Sequence, residues 1–242
     1  MRNFQSTRIL DVRVDKVTKI KALEEFSRMV KEPGCSLIVT PNAEIVSAAS
    51  KTPRLKEIIE DAAMVIPDGI GLIYASKFKG DPIEEKVAGI DFSRAALEIC
   101  AKEGIKVFFL GSKPGVAEKA AQNIMAEIPG LCVAGWRDGY FKPEQEDEVV
   151  AQINESGAEF LCVALGSPKQ EIFVIDHKDK LKAKAAVGIG GSLDIWSGTL
   201  QRAPQFYIDH GLEWLYRMVQ EPWRLKRLPA LPMFLIKAAI RR

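Results

Sequence analysis

The clearest indication of the fold is the sequence EFLCVALGSPKQE at residues 159–171. Its apolar run shows no alternation with polar residues, which is typical of a strand buried on both faces of a parallel sheet. The run ends at Gly166, and a short polar segment follows. Ligands of parallel α/β sheets bind beyond the carboxyl ends of the strands, so residues that follow such runs are candidates for function.

The same pattern recurs from about residue 8 to residue 190. A strand is expected at 8–14 and a helix at 16–30, and the further apolar runs are SLIVT (36–40), AAMVI (62–66), KVFFL (106–110), LCVAG (131–135) and AKAAVGIG (183–190). Helical patterns lie between these runs. The sequence therefore predicts a Rossmann-like α/β fold, with a mostly parallel sheet and helices on both faces.

The pattern changes near residue 195. Residues 207–219 look helical, and Pro222, Pro229 and Pro232 are expected to break the remaining chain into short pieces. We therefore expect an α/β catalytic domain at residues 1–195 and a C-terminal helical appendage at residues 196–242. This appendage is predicted to bind a membrane surface and to complete the active site.

The charge distribution separates the same two regions. The chain of 242 residues carries a net charge of only +2, which is not the strong basic excess of a nucleic-acid-binding protein. Residues 199–242 alone contain eight Lys and Arg against three Asp and Glu, and the rest of the chain is therefore slightly acidic. Basic residues mixed with Trp214 and Trp223 are typical of an interfacial anchor, although an oligomer contact or plain packing would also use them.

The location of the protein is predicted from what the sequence lacks. The longest apolar candidate, residues 228–240, is too short to span a bilayer and contains Pro and Lys. The N-terminus has no apolar run of signal-peptide length. The four cysteines lie far apart among mostly apolar neighbours, which favours buried reduced thiols. We expect a cytoplasmic protein attached peripherally to the inner face of the cell membrane, with a homo-oligomer in solution also compatible with the sequence.

Asp68 is the first candidate for catalysis. It follows an apolar run and precedes Gly69, so it is expected at a strand end that faces the ligand cleft. Partial burial raises the pKa of a carboxyl group and makes it a better general base for a hydroxyl group near neutral pH. The alternative is that Asp68 caps the following helix.

Thr40 and Asn42 end another apolar run, and Pro41 lies between them. Their hydroxyl and amide groups are candidates for binding a sugar or positioning a nucleophile. Capping of the helix that begins after Asn42 is the alternative.

Three loops after strands are rich in glycine: GSKPG (111–115), GSPKQE (166–171) and GIGGS (188–192). Glycine lets the backbone approach a ligand, and the next helix directs its N–H groups at a phosphate. We take Gly111, Gly166 and Gly190 as candidates for binding a nucleotide diphosphate. Neither the dinucleotide fingerprint nor the Walker motif is present.

No metal and no cofactor are expected. The sequence contains no Asp-x-Asp, the short acidic spacing with which enzymes hold Mg²⁺ or Mn²⁺ on a nucleotide-sugar diphosphate, and it has only two histidines. Positive side chains must then neutralise the leaving diphosphate. Arg217, Arg224 and Arg227 are candidates, because a guanidinium group binds phosphate oxygens in a bidentate way.

Together these motifs resemble the WecG/TagA/CpsF glycosyltransferase family. The matching segments are TPNAEIV (40–46), IPDGIGLIYASK (66–77), VAGIDF (87–92), FFLGSKPGVAEKAA (108–121), GYF (139–141), LGSPKQE (165–171), GIGGSLDIWSG (188–198) and RAP (202–204). The resemblance implies an inverting, metal-independent transfer of N-acetylmannosamine from its UDP donor. The implied acceptor is the 4-hydroxyl of N-acetylglucosamine on undecaprenyl diphosphate, as in the linkage unit of wall teichoic acid.

The resemblance also implies roles for individual residues. The family's functional positions fall on Asp68 as the base, on Thr40 and Asn42, on Gln170, and on Arg217, Arg224 and Arg227. Family members often carry Arg before VAGID, whereas this chain has Lys86. Lysine keeps the positive charge but lacks the planar fork that would hold a diphosphate.

Other functions remain open at this point. A sister activity would use another donor, such as UDP-N-acetylmannosaminuronic acid, because the residues themselves do not identify the sugar. A nucleotide-binding membrane adaptor without catalysis would need only the loops and the appendage. A nucleotide-dependent oxidoreductase would share the sheet, but the broken fingerprint argues against it.

Overall fold

The computed structural model describes residues 4–221 and 230–240. Its strands are β1 (Ser6–Ile9), β2 (Val12–Asp15), β3 (Ser36–Val39), β4 (Met64–Val65), β5 (Lys106–Gly111), β6 (Cys132–Arg137), β7 (Phe160–Ala164) and β8 (Ala185–Gly188). Its α-helices are α1 (Lys19–Met29), α2 (Ala43–Ala49), α3 (Pro53–Asp61), α4 (Ile70–Phe78), α5 (Gly89–Glu103), α6 (Val116–Glu127), α7 (Glu146–Glu155), α8 (Lys169–Asp176), α9 (Ser192–Trp196), α10 (Gln205–Asp209), α11 (Glu213–Gln220) and α12 (Ala230–Ile240). A short 3₁₀ helix, Pro143–Gln145, precedes α7.

Six of these strands form a parallel sheet in the order β4-β3-β8-β7-β5-β6. Each corresponds to one of the apolar runs, so the predicted α/β architecture is confirmed. The order brings the carboxyl ends of β3, β4 and β8 together at one edge. This is the edge at which ligands bind in parallel sheets.

Strand β7 shows why its sequence lacks alternation. Phe160 and Cys162 pack into a hydrophobic cluster on one face of the sheet, while Leu161 and Val163 pack into the cluster on the other face. All four side chains are fully buried. A strand covered by helices on both sides has no position left for a polar side chain.

The N-terminal region differs from the prediction of a single strand at 8–14. The chain turns at Leu10 and Asp11, which both have positive φ angles, so that β1 and β2 pair as an antiparallel hairpin. Arg13 and Asp15 on β2 are buried and paired, with Nε and Oδ1 2.8 Å apart. Asp15 also accepts a hydrogen bond from the backbone of Val65, which attaches the hairpin to the sheet.

The cysteines are confirmed as free thiols, but one of them is not buried. Cys35, Cys100 and Cys162 are buried, whereas Cys132 at the start of β6 is exposed. The apolar neighbours of Cys132 in the sequence suggest a buried thiol. That prediction is wrong because Cys132 lies at the start of the edge strand β6, which has a neighbouring strand on one side only.

The C-terminal appendage also departs from the prediction in detail. The helix expected at 207–219 is interrupted at Gly211, which has a φ of 69° and packs against Ile70, so that α10 and α11 are separate. Helix α12 continues through Pro232. Proline is tolerated there because the N–H groups of the first helical turn have no partner within the helix.

Helix α12 lies against α2 and α4 of the α/β domain. Phe234 and Ala238 are fully buried in the same cluster as the inner side chains of these helices. The outer side of α12 exposes Met233, Ile236 and Ile240. No helix within the described part of the chain has the length and apolar character needed to cross a bilayer.

Candidate active site

A cavity of about 300 Å³ lies at the carboxyl ends of β3, β4 and β8. Four residues of the α/β domain form what we call the cavity floor: Thr40, Asp68, Gly89 and Gly190. Four ionisable residues form what we call the charged wall: Lys86, Arg202, Glu213 and Arg217. The appendage supplies three of these four and also Leu231 of α12. The appendage therefore borders the cavity.

Asp68 follows β4 directly and lies in the cavity floor. The N-cap position of α4 is occupied by Gly69 without a side-chain hydrogen bond, so the alternative reading of Asp68 as a helix cap is wrong. Burial raises the pKa of Asp68 to about 6, and the charge of Glu213 also raises it. A hydrogen bond from the Gly89 backbone and the charges of Arg217 and Lys86 act in the opposite direction.

Thr40 and Gly89 are in close contact beside this carboxyl group. The Thr40 hydroxyl donates to the Gly188 carbonyl oxygen at 3.0 Å, which joins the ends of β3 and β8. A Cβ atom on Gly89 would lie 2.9 Å from Thr40 Oγ1 and 3.3 Å from Asp68 Oδ2. Only glycine leaves room here, and this functional position was not singled out from the sequence.

Asn42 lines the cavity, but its side-chain amide oxygen caps helix α2. Oδ1 accepts from the backbone N–H groups of Glu44 at 2.9 Å and Ile45 at 3.0 Å. The capping alternative is therefore confirmed for this oxygen. Oδ1 is thus already engaged before any substrate enters.

Gln170 is buried beneath the glycine loop that follows β8. Its Oε1 accepts from the Gly190 N–H at 3.3 Å, and its Nε2 donates to Glu171 Oε1 at 2.8 Å. A Cβ on Gly188 would lie 2.4 Å from Gln170 Nε2, so the loop closes over Gln170 only because residue 188 is glycine. Gln170 supports the loop as well as lining the cavity.

Glu171 is the buried partner of Gln170, and it was missed by sequence reasoning. It is 1% exposed, and burial raises the pKa of its carboxyl group. Its position next to Gln170 in the PKQE motif is the sequence signal from which it could have been found.

The charged wall joins the appendage to the domain. Lys86 Nζ donates to Glu213 Oε2 at 3.0 Å, so Lys86 is already paired. Arg202 donates to Asp91 Oδ2 at 2.7 Å. Arg217 lies near Gly191, and none of the ion pairs found between described residues involves it. Of the cavity's cations, Arg217 is the one best placed to meet an incoming anion.

The other predicted binding residues divide into three groups. Gly190 lines the cavity, whereas Gly111 and Gly166 do not. Gly111 packs on the Ala164 backbone, where a Cβ would lie 2.4 Å from the carbonyl oxygen, so strand packing explains this glycine. Arg224 and Arg227 lie outside the described residues.

This arrangement suits proton removal followed by loss of an anion. A carboxyl group with a pKa near 6 is ionised at neutral pH and still basic enough to assist a hydroxyl group. Cationic side chains in the wall favour negative charge that develops close to them. Among the described residues, no group of three or more His, Cys, Asp or Glu could hold a metal ion, and metal independence stays a prediction.

Comparison with known proteins finds a matching family and relatives of known name. The family model described as glycosyl transferase WecG/TagA/CpsF family matches residues 7–242. A protein of Bacillus spizizenii strain W23 is 36% identical over 82% of this chain and 77% of its own length. A protein of Bacillus subtilis strain 168 is 32% identical over the same shares. Both relatives are named N-acetylglucosaminyldiphosphoundecaprenol N-acetyl-beta-D-mannosaminyltransferase.

Proposed function

Because the chain belongs to the WecG/TagA/CpsF family of glycosyl transferases, we propose that it transfers N-acetylmannosamine from UDP-N-acetylmannosamine. The acceptor is the 4-hydroxyl of N-acetylglucosamine on undecaprenyl diphosphate, and the product is the linkage unit of wall teichoic acid. The observation that carries this proposal is the name shared by two relatives that each align over 82% of the chain.

In the proposed reaction Asp68 is the general base. The acceptor hydroxyl gives its proton to the carboxylate as its oxygen attacks the anomeric carbon of the donor sugar. The bond from that carbon to the UDP oxygen breaks, and UDP leaves with the electron pair. A single direct displacement inverts the anomeric configuration and needs one carboxylate, unlike the carboxylate pair of a glycosidase. The raised pKa of Asp68 supports this role.

The departing diphosphate needs positive charge. We assign this role first to Arg217, which lines the cavity and belongs to the appendage. Backbone N–H groups of the loop at Gly190 are the second source, and Arg224 and Arg227 remain predicted contributors from outside the described residues. No metal ion takes part in the proposed step.

Thr40, Asn42 and Gln170 have supporting roles in this proposal. Thr40 and Gln170 hold the loop after β8 through contacts to Gly188 and Gly190. Asn42 fixes the start of α2 at the edge of the cavity through its capping bonds. These residues thereby keep the donor and the acceptor in line beside Asp68.

We further propose that the appendage brings the enzyme to the inner face of the cell membrane. Helices α4 and α12 both line the cavity, through Ile70 and Leu231, and both expose apolar side chains beyond it. The exposed set is Tyr74, Phe78, Met233, Ile236 and Ile240. A surface of this kind can lie among lipid headgroups while a lipid-linked acceptor reaches the cavity. In solution the same surface is open to a second copy of the chain.

A donor screen tests the proposed function. The full chain is incubated with a short-chain polyprenyl-diphosphate N-acetylglucosamine acceptor and with UDP-N-acetylmannosamine, UDP-N-acetylmannosaminuronic acid or UDP-N-acetylglucosamine, with and without EDTA. We expect consumption of UDP-N-acetylmannosamine alone, unaffected by EDTA. Consumption of the uronic acid donor would assign the sister activity instead, and thermal stabilisation by UDP without transfer would indicate an adaptor.

A further inference from the structure

An ion pair between the α/β domain and the appendage lies inside the cavity. Lys86 Nζ and Glu213 Oε2 are 3.0 Å apart, and the two side chains are only 20% and 29% exposed. Ion pairs on an open surface contribute little because water screens them, but this pair is partly withdrawn from water. Lys86 precedes α5, and Glu213 begins α11, so the pair connects regions that are 127 residues apart in the sequence.

The pair also determines which charges reach Asp68. Among the described residues, three charged groups act on this carboxyl group: Glu213 opposes its ionised form, whereas Arg217 and Lys86 favour it. Without Glu213, the ammonium group of Lys86 would lose its present partner, and the Asp68 carboxylate would be the competing anion in the cavity floor. A lysine drawn to Asp68 would stabilise the ionised carboxylate and make it a weaker base.

We propose that Glu213 is a positioning residue for the transfer reaction: its ion pair holds the Lys86 ammonium group at the charged wall, away from Asp68, and fixes α11 beside the cavity floor. This inference rests on the proposed function, in which Asp68 accepts the proton of the acceptor hydroxyl. It gives the appendage a role in the chemistry beyond supplying cations.

A second ion pair offers a matched control. Arg202 and Asp91 also connect the appendage to the α/β domain, with Nη2 and Oδ2 2.7 Å apart. Neither of these charges is among the groups that act on Asp68. Breaking this pair therefore removes a comparable connection without changing the electrostatics of the base.

The experiment compares Glu213→Gln with Asp91→Asn in pH profiles of kcat. In the native chain the rate should fall as the pH drops through about 6, because Asp68 becomes protonated. For Glu213→Gln we expect this acidic limb to move to lower pH by roughly half a unit or more, since a repulsive charge is lost and a cation is released. The plateau kcat should fall several-fold because the base is weaker, and Glu213→Asp should restore much of it.

A titration with UDP separates positioning from mere loss of structure. In Glu213→Gln the cavity loses a negative charge, so the UDP diphosphate should bind more tightly while kcat falls. A simple loosening of α11 would instead weaken UDP binding, because Arg217 lies on the same helix.

Three results would overturn the proposal: an unmoved acidic limb in Glu213→Gln, an equal movement in Asp91→Asn, or weaker UDP binding in Glu213→Gln. Failure of the proposed base is a different result, namely full transfer activity in Asp68→Asn. In that case the UDP titration still tests the ion pair, since it does not depend on Asp68.

Discussion

The cavity floor and the charged wall hold their functional groups in different ways. The floor consists of strand ends joined by hydrogen bonds such as that from Thr40 to Gly188, with glycine backbone packed against the side chains. Between described residues, two ion pairs join the appendage part of the wall to the α/β domain: Glu213 with Lys86 and Arg202 with Asp91. Hydrogen bonds between packed strand ends fix a reacting group closely, whereas ion pairs can exchange a partner for an incoming anion. We therefore expect the floor to govern the chemical step, and the wall to govern substrate binding and to affect the chemical step through the Lys86–Glu213 pair.

Asp68→Asn tests the floor and should give the largest effect. Loss of the general base should lower kcat by about 10²- to 10⁴-fold. UDP binding should not weaken, because the amide keeps the size of the side chain, the wall is untouched and no positive charge is lost. Transfer kinetics and calorimetric titration with UDP measure the two quantities, and a variant with full kcat would remove Asp68 from the mechanism.

The same variant has a predictable effect on stability. Because the pKa of Asp68 is raised in the folded state, native Asp68 favours folding most below about pH 4 and loses this contribution as the pH rises through about 6. Asp68→Asn should therefore melt at a higher temperature than the native chain at pH 8, with the difference vanishing near pH 4. Lower kcat together with a higher melting temperature would show that the buried Asp68 carboxylate costs stability and is required for activity.

The exposed outer face of α12 tests whether the appendage binds a membrane surface. Ile236 and Ile240 are 59% and 77% exposed, and burial of one such side chain contributes about 1.5–3 kcal/mol. The double variant Ile236→Glu with Ile240→Glu should reduce binding to anionic vesicles by about a hundredfold, measured by co-sedimentation. Turnover of a water-soluble acceptor should be retained.

Ile20 provides the control for this prediction. It lies on α1, outside the appendage and the cavity lining, and is 71% exposed. Ile20→Glu should leave vesicle binding unchanged. Equal losses for both variants would mean that the chain binds lipid without a preferred face.

Arg217 tests the wall. Removing a charged hydrogen-bond donor typically costs about 1.5–3 kcal/mol, so Arg217→Met should weaken UDP binding by about 10- to 100-fold. The acidic limb of kcat should move slightly to higher pH, because Arg217 lowers the pKa of Asp68. Arg217→Lys should recover only part of the affinity, since an ammonium group cannot bind two phosphate oxygens in a plane. Unchanged UDP affinity in Arg217→Met would exclude this residue from diphosphate binding.

The sequence predicted the floor better than the wall, and the reason is physical. Asp68 and Thr40 follow buried strands, and parallel strands bring all such positions to one edge whatever the details of packing. Lys86 and Glu213 meet only because α11 lines the cavity, and no local pattern records a contact over 127 residues. The interruption at Gly211 was missed for the same reason, since its close neighbour is Ile70.

Two glycine substitutions, one in the cavity floor and one against the appendage, test the two regions separately. Their expected effects on kcat and KM are the smallest of those predicted. Gly89→Ala places a Cβ 2.9 Å from Thr40 Oγ1, so Thr40 or Asp68 must move. Gly71→Ala places a Cβ 2.7 Å from Leu231 Cδ1 of α12 and 3.1 Å from Ala43 Cβ, so the end of the flexible Leu231 side chain must move most and Ala43 by a few tenths of an ångström. Gly89→Ala should lower kcat by about tenfold, because displacement of reacting groups by about 1 Å costs on the order of a hundredfold.

Gly71→Ala should leave kcat with a soluble acceptor within a factor of about two, while overpacking of about 1–3 kcal/mol loosens α12. The expected readout is a several-fold higher KM for a lipid-linked acceptor. If the two variants gave the same change in kcat, floor and appendage would act as one rigid unit, and the division of labour between them would be wrong. If only Gly89→Ala lowers kcat, the chemical step depends on the strand ends, and the appendage acts through substrate binding and through its ion pair with Lys86.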